Sequence, residues 1–135
     1  MIYRLEIENF YSIKERQVLD LSVSDKVQRN PERFVEMHPG SPKRVPKVIA
    51  TFGANGAGKS NLLRALAFVA WFVRDSFREQ PPEAAVPVVR FSDQDSLRRP
   101  TRLALSLGGP TRLGEESGSE ESHGTYDYEL VIGPA

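Results

Sequence analysis

Gly53-Ala54-Asn55-Gly56-Ala57-Gly58-Lys59-Ser60 fits the pattern G-x-x-x-x-G-K-[ST] at every fixed position. At ordinary residue frequencies four fixed positions coincide by chance in well under ~1% of chains of this length. Glycines at 53, 56 and 58 allow backbone angles and close approach that a side chain would block, so successive N–H groups can form a phosphate-sized nest. The helix that should follow adds its positive end to the same place. Lys59 can reach β and γ phosphates as a point charge and is the predicted catalytic residue. The Ser60 hydroxyl can supply one ligand of an octahedral Mg²⁺, the others being phosphate oxygens and water. The motif predicts a nucleoside triphosphate bound with magnesium by Gly53, Ala54, Asn55, Gly56, Ala57, Gly58, Lys59 and Ser60.

The flanks of the motif suit that reading. Before it, Val48-Ile49-Ala50-Thr51-Phe52 is a short apolar run expected to be a strand buried on both faces. After it, a helix should begin near Gly58 or Lys59 and run to about Arg78, with Leu62, Leu66, Val69, Val73 and Phe77 along one face. Pro81 and Pro82 should stop it. Upstream, Ile2 to Phe10 alternates as a half-buried strand, and Gln17 to Val23 can pair with it antiparallel. Residues 24–46 are rich in proline and charge and read as a loop. Downstream lie an apolar run from Val86 to Phe91 and two alternating strands over 101–107 and 125–132. The acidic stretch 108–124 between the last two reads as a flexible hairpin tip. The expected fold class is therefore α/β, a P-loop NTPase with mixed or antiparallel strands packed on the P-loop helix. The 135 residues suit a single ATP-binding lobe.

Composition narrows the function classes. Apolar residues at 39% and charged ones at 27% suit a globular chain. The longest apolar stretch, Leu62 to Val73, is interrupted by Arg64 and falls short of the ~20 residues that cross a bilayer. With no signal-like opening, the expected location is the cytoplasm, with no membrane partner. Eighteen basic residues balance eighteen acidic ones, which offers no support for a nucleic-acid partner. The absence of cysteine removes thiolate metal sites, and His38 and His123 lie in separate polar segments, so a metal here must be held by oxygen.

Hydrolysis needs more than the P-loop: a second carboxylate on a buried strand and a residue that positions water. No apolar run of four in this sequence ends in Asp-Glu or Asp, and Asp127 falls in an alternating strand. Leu105-Ser106-Leu107-Gly108-Gly109-Pro110 has some likeness to the L-S-G-G-Q signature of ABC-type ATPases, but turn residues come directly after it, so it reads as the start of the hairpin turn. The chain is expected to hold half an active site.

Taken in order, these residues resemble the N-terminal lobe of ABC-related P-loop ATPases of the RecF/SMC and OLD-like (overcoming lysogenization defect) AAA group. The resemblance covers nearly the whole chain. It rests on the opening strand Ile2 to Phe10 with Asn9-Phe10, on Ser12-Ile13-Lys14 after it, on Gly53 to Leu63, and on Pro100 to Ile132. It implies that the nucleotide is ATP with Mg²⁺, that Asn55 and Asn61 belong to the binding pattern, and that Ser12 and Lys14 approach base or phosphates. It further implies an incomplete ABC-type head, working as a head-to-head homodimer or with a complementary ATPase half. That other half would supply the signature helix, the Asp-Glu strand and a switch histidine. Similar proteins act in DNA transactions or anti-phage defence, sometimes with a nuclease or DNA partner, which no residue here supports.

Two other readings carry distinct expectations. A small-molecule kinase or GTPase would usually begin with the P-loop strand, whereas about 50 residues precede it here, and the N-K-x-D element of GTPases is absent. A nucleotide-gated interaction module would use ATP to organise a surface and perform no chemistry.

Overall fold

Alternating side chains give the opening segment one apolar edge, and in strand β1, Ile2–Glu8, that edge is buried: Leu5 and Ile7 are each 2% exposed. The computed structural model describes residues 1–79, 81, 84–111 and 122–134, without the side chains of Phe77 and Glu79. After β1 come β2, Gln17–Asp20; β3, Phe34–Glu36; β4, Arg44–Pro46; helix α1, Lys59–Glu79; helix α2, Gln94–Leu97; β5, Thr101–Pro110; and β6, His123–Ile132. Four strands form one sheet in the order β2-β1-β5-β6, and β3 pairs with β4 in a second. The ends of β1 set its direction against β5: Gly108 donates to the Met1 carbonyl at 2.8 Å, and Thr101 Oγ1 to that of Asn9 at 2.8 Å. Such a register is antiparallel.

The backbone groups into two compact units. The first takes Met1–Leu5, Leu19–Ala50 and the described residues of Leu105–Tyr128. Its core includes Leu5, Met37, Val45 and Leu105. The second takes Glu6–Val18, Thr51–Ala104 and the chain from Glu129, and buries Ile7, Phe10, Ala65, Val69, Leu103 and Leu130. The glycine-rich loop and the whole of α1 lie in the second unit.

α1 starts at Lys59 and closely matches the predicted span, but its buried face is turned from the predicted one. Asn61, Ala65, Val69 and Asp75 are buried, Leu62 and Leu66 are half-buried, and Val73 is 60% exposed. Apolar content alone selected the wrong stripe, because two polar side chains on the inner face have partners. Asp75 accepts from Arg74 Nε at 2.8 Å and Arg78 NH2 at 3.2 Å, while Asn61 donates to Ser12.

Four other segments differ from their sequence expectations. Val48 to Phe52 lies outside every described strand, with Val48 83% and Phe52 91% exposed, so the expected buried strand is not formed. A strand covered on both faces needs neighbours for its N–H and C=O groups, and among the described residues none adjoins it. Segment 24–46, read as loop, contains β3 and β4 in antiparallel register, with Phe34 opposite Pro46 and Val35 opposite Val45. Three-residue strands are too short for periodicity to reveal. The hairpin strands run longer than expected, to Pro110 and from His123, which makes Gly108 to Pro110 strand where the tip was expected. Of the tip 108–124, residues 112–121 lie outside the described residues. Finally, α2 was not anticipated. Its N-cap is Asp93, whose side chain accepts from Ser96 N–H at 2.7 Å.

Candidate functional site

Two glycines make the loop possible. Gly56 has φ +83° and Gly58 φ +87°, the left-handed region in which a side chain is strained. Gly58 also lies under the turn that follows β1, where an added Cβ would stand 3.4 Å from Ser12 Oγ. The loop closes through Ala57 N–H to the Ala54 carbonyl at 3.2 Å. Asn61 and Leu62 N–H then close on the Gly58 carbonyl at 2.9 and 3.2 Å, starting α1 directly at the loop. Among the described residues, the N–H groups of Gly58, Lys59 and Ser60 have no carbonyl partner, as the first turn of a helix requires. Those donors and the helix dipole make the place attractive to anions.

Lys59 arches back over the loop, its Nζ donating to the carbonyls of Gly53 and Ala54 at 2.7 Å each. The ammonium is thereby held at the mouth of the nest. Ser60 is exposed beside it, at the first turn of α1. Gly56, Ala57, Gly58, Lys59, Ser60, Asn61 and Asn55 line a cleft of about 390 Å³ together with Ser12 and Arg64. A second cleft, of about 470 Å³, shares Gly56 to Lys59 and Ser12 and extends past Lys14 and Phe52.

The turn after β1 is fixed from three sides. Asn9 and Tyr11 adopt φ +51° and +50°, and the Phe10 and Ile13 backbones exchange hydrogen bonds at 2.9 Å. Asn9 is 1% exposed; its Nδ2 donates to the carbonyls of Ser96, Arg99 and Pro100, and its Oδ1 accepts from Phe91 N–H. The turn meets α1 where Asn61 Nδ2 donates to Ser12 Oγ at 2.7 Å and where the Arg64 guanidinium lies 4.9 Å from the Tyr11 ring centroid. Phe10 packs on Phe68 of the same helix with ring centroids 5.9 Å apart.

Of the residues taken from the resemblance, Ser12 stands against the loop. Asn61 lines the cleft with its side chain engaged by Ser12 and by Arg64 NH1 at 3.1 Å. Lys14 lines the second cleft but pairs with Asp93 at 2.6 Å and lies over the Phe91 ring. Arg64 and Tyr11 escaped sequence reasoning because Arg64 registered only as an interruption of an apolar run. The signal that was available is its spacing, three residues after Asn61, which places both on one side of a helix.

The Lys14–Asp93 pair sets the acid behaviour of this region. The hydrogen bond from Lys14, followed by those from Ser96, lowers the Asp93 carboxyl to about 2, and the same bond raises Lys14 above its ordinary value. A carboxyl depressed in the folded state contributes stability that is present above the unfolded pKa of about 3.9 and is lost as pH falls toward 2. Asp93→Asn keeps an N-capping side chain and removes the charge. Urea midpoints should therefore favour the wild type at pH 5 and converge between about pH 4 and pH 2.

Magnesium fits the residues present in one way. Among the described residues no cluster of three His, Cys, Asp or Glu side chains could hold a metal by itself. Ser60 would hold the ion as one ligand, with phosphate oxygens and water completing the shell, which matches the preference of Mg²⁺ for partial protein coordination.

A family model described as "AAA domain, putative AbiEii toxin, Type IV TA system" matches residues 50–128, which span the loop, α1, α2 and β5. The chain belongs to this AAA family. No curated protein matches it. Membership makes the AAA domain a P-loop, nucleotide-binding protein of ATPase type, in agreement with the sequence at 53–60. No helix among its described residues is long and apolar enough to cross a membrane.

Proposed function

We propose that the AAA domain binds Mg-ATP at the nest formed by Gly53 to Ser60 and acts as one part of an ABC/SMC-like ATPase head. The observation that carries this reading is the loop itself: left-handed glycines at 56 and 58, unpartnered first-turn N–H groups, and Lys59 held at their mouth. Lys59 would pair with the β and γ phosphates, and Ser60 would join the magnesium shell.

Hydrolysis by this head draws its second carboxylate and its water-positioning group from a complementary half or a second head. The sequence has no apolar strand ending in Asp-Glu, and the segment entering the loop exposes Val48, Ile49 and Phe52. An exposed apolar segment outside any described strand suits burial against a surface that a complementary half would bring. A role in DNA transactions or in defence against phage comes from the resemblance, and the toxin–antitoxin wording of the family description is in keeping with the latter.

The test is twofold. Equilibrium binding should show Mg-ATP taken up by the chain, with ATP competing better than GTP. Steady-state phosphate release from the 135-residue chain should stay near background. A robust rate that Lys59→Ala abolishes would show the chain to be an autonomous ATPase and overturn the divided-head reading, and phosphate transfer to an added acceptor would make it a kinase.

A further inference from the structure

The cleft beside the nest continues along α1 to Arg64. At 1.5 Å per residue, Arg64 lies about 6 Å further along the helix axis than Ser60, one turn on and on the same side. Phosphates held at Lys59 and Ser60 would leave the nucleoside to extend over that turn. The volume of about 390 Å³ falls within the range of small-molecule sites.

The Arg64 side chain is held by two contacts. Its guanidinium lies 4.9 Å from the Tyr11 ring centroid, and its NH1 donates to Asn61 Oδ1 at 3.1 Å. Tyr11 is itself fixed: its backbone is at φ +50°, its N–H donates to the Val89 carbonyl at 2.9 Å, and its ring meets Phe10 edge-on at 4.8 Å. A bulky residue keeps a left-handed backbone only where its surroundings over-determine it, and such residues gather at ligand clamps. The guanidinium is anchored beside Tyr11, yet Arg64 remains exposed and lines the cleft, so it is accessible to whatever the cleft receives. A planar cation held beside an aromatic ring and still exposed is suited to stacking against a further π system.

We propose that Arg64, laid on Tyr11, is the platform on which the nucleobase of the bound nucleotide stacks. The inference rests on the P-loop reading above. Arg64 thereby supplies base-side affinity, distinct from the phosphate-side affinity of Lys59.

The experiment compares Mg-ATP with Mg-tripolyphosphate, which has the phosphates and no base, by calorimetry on the 135-residue chain. Arg64→Ala should weaken ATP binding about ten-fold, as loss of one stacked base contact does, while tripolyphosphate binding falls no more than about two-fold. Arg64→Lys, which keeps the charge without the plane, should lose most of the same ATP affinity. Lys59→Ala should weaken both ligands. Equal losses for both ligands in Arg64→Ala would make Arg64 a phosphate contact, and unchanged ATP affinity would make it a clamp between helix and turn; either result overturns the proposal. If Lys59→Ala leaves both ligands unaffected, or the wild type binds neither, the P-loop reading fails and the base platform fails with it. Arg64 is exposed, so the unfolding midpoint should remain near that of the wild type and certify that the variants fold.

Discussion

Replacing Lys59 by alanine is expected to weaken Mg-ATP binding by about 10- to 100-fold, the range that loss of one charge-assisted hydrogen bond to phosphate produces. The ammonium donates at 2.7 Å to the carbonyls of Gly53 and Ala54, so it is already gathered at the loop before a nucleotide arrives. Those contacts lie at the exposed surface and contribute little to folding. The loss should therefore appear in affinity while the urea midpoint moves little. Isothermal titration of wild type and variant, with denaturation curves for both, separates the two quantities. ATP affinity within two-fold of the wild type would remove the nucleotide from this site.

The largest effect on stability is expected at a residue that touches no phosphate. Asn9 is 1% exposed, donates to the carbonyls of Ser96 at 2.7 Å, Arg99 at 3.0 Å and Pro100 at 3.3 Å, and accepts from Phe91 N–H at 3.1 Å. Asn9→Ala would take this partner from the Pro100 carbonyl and the Phe91 N–H, at about 1–3 kcal/mol for each, while the Ser96 and Arg99 carbonyls keep other donors. It would also place alanine at φ +51°, adding about 1 kcal/mol. A total loss of roughly 3–7 kcal/mol is expected from urea unfolding. Asn9→Gly relieves the backbone term alone and should recover about 1 kcal/mol of it. Asn9→Asp keeps the shape but turns an acceptor toward three carbonyls, and should be no more stable than the alanine variant. A loss below about 1 kcal/mol in Asn9→Ala would show that the turn is held by its backbone bonds alone.

These two residues differ in how visible they are in the sequence. Lys59 is legible because each position of its motif answers a local demand: glycine for a left-handed backbone and, on the function proposed above, lysine for phosphate charge and serine for the metal. Asn9 was legible only as part of the resemblance, since its four partners lie 82 to 91 residues away. The same distinction separates the extent of α1, which the prolines and the motif delimit, from its buried face. Asp75 and Asn61 could be placed inside only by partners, and the Ser12 that receives Asn61 is 49 residues distant.

Taken by itself, then, the sequence determined the glycine-rich loop, the helix that begins at it, and the β1 strand with Leu5 and Ile7 inward. All of these depend on neighbours along the chain, where periodicity, glycine conformation and motif spacing act. Only the tertiary structure decided that Ser12 abuts Gly58, that Arg64 lies on Tyr11, and that β3 and β4 pair within a proline-rich segment. It also decided that Val48 and Phe52 stand exposed. An apolar run records a capacity for burial, and whether that capacity is met depends on a partner surface that no local pattern specifies.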